Sequence, residues 1–127
     1  MTDKKRKKIT LAQLRPTATR MYIKDPLTDE ETEAWFDLIG QDSKEYRAAT
    51  AALFLSRKKS NKSPTFDELY IENTKLIAAT VKDWNEEIFG EFSHKEAVEL
   101  LGDPELAAMR EQVDLFSEHR RNFFRRS

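Results

Sequence analysis

Apolar residues return at two different periods along the chain, and the change of period divides it. In Arg20–Lys24, Met21 and Ile23 alternate with Tyr22, the two-residue period of a strand with one inward face. Asp25-Pro26 breaks that strand, and a polar loop, Thr28–Thr32, leads to a second one over Ala34–Ile39. There Ala34, Phe36 and Leu38 point one way, Trp35 and Ile39 the other, and Gly40 closes the run. The pair predicts an antiparallel hairpin whose loop is longer than a tight turn. Upstream, Ile9–Leu14 reads as a short helix or as the lead-in to a strand, ended by Pro16.

From Asp42 onward the period is helical. Asp42 is the expected cap of a helix with Glu45 at the capping-box position, and Tyr46, Ala49, Leu53 and Arg57 mark one face. Alanines 48, 49, 51 and 52 allow a neighbour to come close, and the polar, basic Arg57–Ser63 reads as a loop. Thr65–Glu68 is a second capping box, preceded by Pro64. Its helix carries Phe66, Leu69/Tyr70, Asn73, Leu76/Ile77, Thr80/Val81 and Trp84 at helical spacing, with Trp84 expected in the core. Asn73 and Thr80 soften the stripe, so they meet polar partners or the face is only partly covered. Asn85–Glu91 is an acidic connection or another short hairpin. Ser93 and Glu96 form a third box, with Phe92 and Ala97 placed for a hydrophobic staple. Gly102 is the expected left-handed stop, and Asp103-Pro104 restarts a helix.

In that last helix Leu106, Met109, Val113, Phe116, Arg120 and Phe123 recur at steps of three and four, a heptad-like seam with one cation in it. Leu115 and Phe124 lie off the seam, so one stripe cannot hide all the apolar surface. Leu106 to Phe116 read as packing on the body of the domain. Phe123 and Phe124 stand at a fraying end among Arg120, Arg121, Arg125 and Arg126, and aromatics framed by arginines are the material of binding hot spots. The candidate partner-binding residues are therefore Met109, Val113, Phe116, Arg120, Phe123 and Phe124. The expected fold is α+β: a mainly helical domain over residues 9–127, with an N-terminal β-hairpin and about four helices, behind a disordered basic arm, residues 1–8.

Composition narrows the function. With 39% hydrophobic and 35% charged residues the 127-residue chain supports one modest core in an elongated or highly solvated shape. Lys plus Arg number 22 against 23 acids, a net charge of -1 that is poor for sequence-independent DNA binding. Absence of cysteine removes disulfides, thiol catalysis and thiolate metal sites. No apolar run is long enough to span a membrane and no apolar signal follows the basic start, so a cytosolic protein is expected.

The search for catalytic chemistry is nearly empty. Glycines 40, 90 and 102 are isolated and build no phosphate loop. His94 and His119 belong to no paired-histidine motif and read as solvated. Asp29, Glu30, Glu31 and Glu33 are consecutive loop acids, which rarely converge on a hard cation. No serine sits in a nucleophile elbow. A binding or assembly protein without cofactor or metal is the expectation, and an enzyme is not.

Several residues taken in order resemble the tail assembly chaperones of long-tailed (siphophage-type) bacteriophages. They are Tyr22-Ile23-Lys24-Asp25-Pro26-Leu27-Thr28, then Gly40-Gln41-Asp42-Ser43 with Tyr46-Arg47-Ala48, then Ala79 and Trp84. Phe92-Ser93, Leu100-Leu101, Pro104, Gln112-Val113, Phe116 and Arg121-Asn122-Phe123-Phe124 complete the series, over roughly residues 10–125. The chain departs from the family pattern at Thr28-Asp29, where Thr-Gly is common, and at Asn85–Gly90, where a Gly-x-Pro turn is common.

The resemblance implies a small protein that coats the tape measure protein, a very long helical chain with apolar stripes, keeps it soluble and helps bring in tail tube subunits. It implies work in the host bacterial cytoplasm and absence from the mature virion. Such proteins are often made in two lengths by a ribosomal frameshift, so a longer form of this chain is a further expected partner, and a homo-oligomer through the seam stays open. Two rivals remain. One is a small nucleic-acid-binding regulator using Lys4–Lys8 and the Arg57–Lys62 loop; the other is a structural head–tail component.

Overall fold

The computed structural model describes residues 5–124. Of the basic arm, residues 1–4 lie outside the described residues, while 5–8 are exposed and have no regular secondary structure. Ile9–Leu14 resolves to a single 3₁₀ turn at Ala12–Leu14.

The alternation in the first strand is realised as read. Strand β1 (Thr19–Lys24) buries Met21 and Ile23 and leaves Tyr22 exposed. It pairs antiparallel with β2 (Glu31–Leu38), with Met21 opposite Phe36 and Tyr22 opposite Trp35. The connecting loop turns at Asp29, whose positive φ of 64° an aspartate tolerates better than a branched residue would. Asp25 organises this loop: its carboxylate accepts from Leu27 N at 2.8 Å and its carbonyl from Asp29 N at 2.7 Å.

A third strand, β3 (Val81–Trp84), lies antiparallel against β2 and gives the order β1-β2-β3. This corrects the expectation of a helix running through to Trp84. The helix stops at Ala78 because Thr80 folds back, its hydroxyl donating to the Ile77 carbonyl at 2.6 Å, and because β2 offers an open edge. Ile39 N, just past β2, donates to Thr80 O at 2.8 Å and starts the new pairing.

The helices differ from expectation mainly at their ends. Helix α1 (Lys44–Lys59) is capped by Ser43, which accepts from Tyr46 N at 3.2 Å and donates to Gly40 O at 2.8 Å; Asp42 does not cap it. The helix continues through Arg57–Lys59, residues that read as loop, leaving a short link to α2 (Phe66–Ala78). The Thr65/Glu68 capping box forms on both sides. Asn85 caps a one-turn helix, α3 (Glu86–Phe89), in place of a second hairpin, and this turn raises the helix count above four. Ser93 caps α4 (His94–Gly102) through Glu96 N at 3.1 Å.

Gly102 is not the left-handed stop. It stays helical, and the chain leaves α4 at Asp103, whose carboxylate caps the 3₁₀ turn Pro104–Leu106 through Glu105 N. Gly102 instead packs against α2: its carbonyl accepts from the Tyr70 hydroxyl at 3.2 Å, and an added Cβ would meet Thr74 Cγ2 at an ordinary contact distance of 3.4 Å. Helix α5 (Ala107–Glu118) ends at His119 in extended backbone, and a 3₁₀ turn, Arg120–Phe123, follows. The seam read as one helix is thus broken before Arg120.

Together these elements form an α+β structure, mainly helical, with α2, α4 and α5 on one face of the sheet. Phe36, Leu38, Val81, Trp84, Leu101 and Val113 are fully enclosed there. Trp84 sits at the centre as expected, with Phe36, Phe89 and Phe92 rings packed around it at 5.0–6.0 Å spacings among the four and its indole N–H donating to Gly90 O. The opposite sheet face is polar: the Arg20 guanidinium lies 3.6 Å above the Trp35 ring and binds Asp37 at 2.9 and 3.2 Å.

Candidate interaction surface

The six residues singled out on the last helix are brought together, but mostly inside. Met109 and Val113 are buried, and Phe123 is only 2% exposed, so none of the three offers a surface to a partner on this fold. Phe123 is corrected from an exposed aromatic to a core residue because the 3₁₀ turn rotates it inward. There it meets Phe116 edge-on at 5.6 Å and closes over Gly40. Phe116 and Phe124 are half-buried against the same core. Arg120 is exposed and forked onto Asp42, with bonds of 2.7 and 3.1 Å. That pairing is what Asp42 does in place of capping α1. Arg125 and Arg126 lie outside the described residues.

Exposed apolar surface gathers instead on α1 and α2. Helix α1 spans about 24 Å at 1.5 Å per residue and has no buried residue along its length. Phe54 is 66% exposed and Leu55 57%, while across the link Phe66 is 81% exposed, with Leu69 and Ile71 also exposed. Between the helices runs a groove of about 440 Å³ whose apolar walls are Leu53, Phe66, Leu69 and Leu76. Arg57 spans it, binding Glu72 at 2.6 and 3.0 Å. Toward the start of α1, Ala48 lines a second hollow of about 370 Å³ with Ala78, Ala79 and Val98.

This surface was missed when α1 was read as a single face. The signal was there: Leu53, Phe54 and Leu55 are consecutive, and three successive residues span about 200° of a helix, more than one buried stripe can cover. Covering a phenylalanine fully is worth about 2 kcal/mol, so Phe54 and Phe66 alone represent several kcal/mol available to a partner.

The first turn of α1 is its more firmly fastened end. Beside the Ser43 cap, Tyr46 is half-buried; burial pushes its hydroxyl pKa up, and the nearby Asp114 and Glu118 carboxylates push it the same way. Asp114 is itself raised above its ordinary value by burial and by Glu118, with Arg110 opposing. Arg110 is buried and pins α2, α4 and α5 together. It donates to Thr74 Oγ1 and to the Leu101 carbonyl (3.1 Å), and its guanidinium lies 4.3 Å from the Tyr70 ring centre.

Among the described residues no group of three or more histidines and acids stands together as a metal site, and no helix is long and apolar enough to cross a membrane. His94 and His119 are both exposed. No family model, curated protein or solved structure matches this chain.

Proposed function

We propose that this chain is a non-enzymatic tail assembly chaperone of a long-tailed bacteriophage. In this reading it binds the tape measure protein in the host cytoplasm, keeps it soluble, helps recruit tail tube subunits and departs before the virion is complete. The ordered resemblance from Tyr22 to Phe124 supports the family. The observation that carries a helix-binding role is α1, a sixteen-residue helix with no buried residue that displays Phe54 and Leu55 next in sequence to Leu53, which lines the α1–α2 groove with the still more exposed Phe66. An apolar groove between two helices suits an amphipathic helix laid into it, with anchors at helical spacing. A tape measure protein, long and striped with apolar residues, is a partner of that kind.

The test is co-expression with the tape measure protein of the same phage, followed by pull-down and sedimentation. The double variant Phe54→Asp/Phe66→Asp is expected to lose co-purification and leave the tape measure protein in the pellet while keeping the wild-type melting temperature. Leu27→Asp, on an exposed residue of the β1–β2 loop, serves as control and keeps binding. Full retention of the tape measure protein by the double variant would refute the assignment of this surface.

A further inference from the structure

Strand β1 is an edge strand, and its outer side is closed at both ends but open in the middle. The phase of its backbone follows from four hydrogen bonds. Asp25 N donates to Glu30 O at 2.8 Å and Thr32 Oγ1 to Ile23 O at 2.6 Å, so residues 23 and 25 face β2. Lys24 faces away, where the Gln112 side chain of α5 meets it as a strand residue would, accepting from Lys24 N at 2.7 Å and donating to Lys24 O at 2.9 Å. Alternation then turns the peptide groups of Tyr22 and Arg20 outward. The other side of the sheet agrees. Trp35 O accepts from Asn85 N on the β3 side, so Phe36 faces β1 and pairs with the inward Met21. Beyond Arg20 the C-terminal turn closes the edge again: Thr19 Oγ1 donates to Asn122 O and Thr17 N to Phe123 O.

Alongside the open stretch lies a groove of about 620 Å³, within the size range of ligand sites. Its apolar wall is Leu115 and Phe116 of α5, with Met21, Tyr22 and Pro26 opposite. Charge is uneven along it. Asp25, Asp29 and Glu31 outnumber the single cation Lys24 at one end, and Arg20 and His119 stand at the other.

We infer that this edge accepts an extended protein segment as a fourth strand, antiparallel to β1. The backbone of that segment pairs with Arg20 and Tyr22, its apolar residues rest on Leu115 and Phe116, and a lysine or arginine at its leading end meets Asp25, Asp29 and Glu31. Strand addition of this kind draws affinity from main-chain hydrogen bonds and selectivity from alternate side-chain positions. The surface is separate from the α1–α2 groove, and the inference does not depend on the chaperone reading.

The probe is the synthetic peptide acetyl-Lys-Val-Thr-Val-Ser-amide, titrated into the ¹⁵N-labelled full chain. Saturable shifts centred on the Arg20–Tyr22 amides are expected, with slowed hydrogen exchange at Tyr22. N-methylation of the central peptide bonds should weaken binding about tenfold, the worth of a lost hydrogen bond or two. Asp29→Asn/Glu31→Gln should weaken it about two- to fivefold, as for exposed ion pairs, with the spectrum of the free protein otherwise unchanged. Any of these peptide results would overturn the inference: no saturable shift at millimolar peptide, an N-methylated peptide that binds as well as its parent, or shifts confined to α1 and α2. Concentration-dependent broadening at Arg20–Tyr22 without peptide would assign the edge to a second copy of this chain and overturn it equally.

Discussion

Replacing Gly40 by alanine tests whether the C-terminal turn is part of the core. Gly40 has a φ of +76°, and a Cβ placed there would lie 2.7 Å from Phe123 Cδ2 and 2.8 Å from Cε2, closer than a ring can tolerate without moving. The backbone alone costs about 1–2 kcal/mol for an L residue in that region. Moving Phe123, which is 2% exposed, adds overpacking of about 1–3 kcal/mol. The sum, about 2–5 kcal/mol, is a large share of the ~5–15 kcal/mol that holds a domain folded.

The Phe123→Ala background supplies the internal reference, because it keeps the backbone cost at residue 40 and removes the ring that the added Cβ meets. Urea unfolding followed by tryptophan fluorescence should therefore show Gly40→Ala costing about 1–3 kcal/mol more in the wild-type chain than in the Phe123→Ala chain. An equal cost in the two backgrounds would refute the close packing of Phe123 on Gly40.

Three further expectations follow from single contacts. Ser43→Ala should cost about 1 kcal/mol by removing the α1 cap, while Asp42→Ala should cost less, since it loses only an exposed pair with Arg120; reversed values by thermal denaturation would restore Asp42 as the cap. Arg110→Ala should lower stability by about 2–4 kcal/mol, because Thr74 and the Leu101 carbonyl lose their buried partner, and hydrogen exchange should accelerate in α4. Asp114 has a folded pKa raised above its ordinary 3.8, so the folded state binds its proton more tightly than the unfolded chain does. Stability then falls as pH rises from the unfolded value through the folded one and is level above it. Asp114→Asn should raise the melting temperature at pH 7 and leave it nearly unchanged at pH 3.

The hairpin was legible because Met21/Ile23 and Phe36/Leu38 repeat at a period only a half-buried strand explains. Strand β3 was not. Val81 and Trp84 are both buried three positions apart, which fits one more helical turn, and the strand accommodates that spacing only through a register shift against β2 at Asp37/Leu38. Caps were found within a residue, since Ser43 and Asp42 carry equivalent acceptors and only the path from Gly40 decides between them. Phe123 was misplaced for a reason of distance. Its pocket includes Gly40, remote in sequence, and the break at His119 that turns it inward leaves the three-and-four spacing intact on paper. The apolar excess of α1 was visible in Leu53-Phe54-Leu55, but spacing does not say which part of the excess a fold leaves uncovered.

The way α1 is attached sets how the molecule breathes. Its first turn is fastened at Ser43 and Tyr46 and its last by one ion pair, and no side chain between them is enclosed. Local opening of such a segment needs far less free energy than global unfolding, so α1 forms a weak cooperative unit beside a firmer one of sheet, α2, α4 and α5. Its amides should lose protection first, and trypsin should reach Arg57, Lys58 and Lys59 before any site in α4. A ligand that grips the outer side of α1 would then register as slowed proteolysis there, ahead of any change in the midpoint of the whole protein.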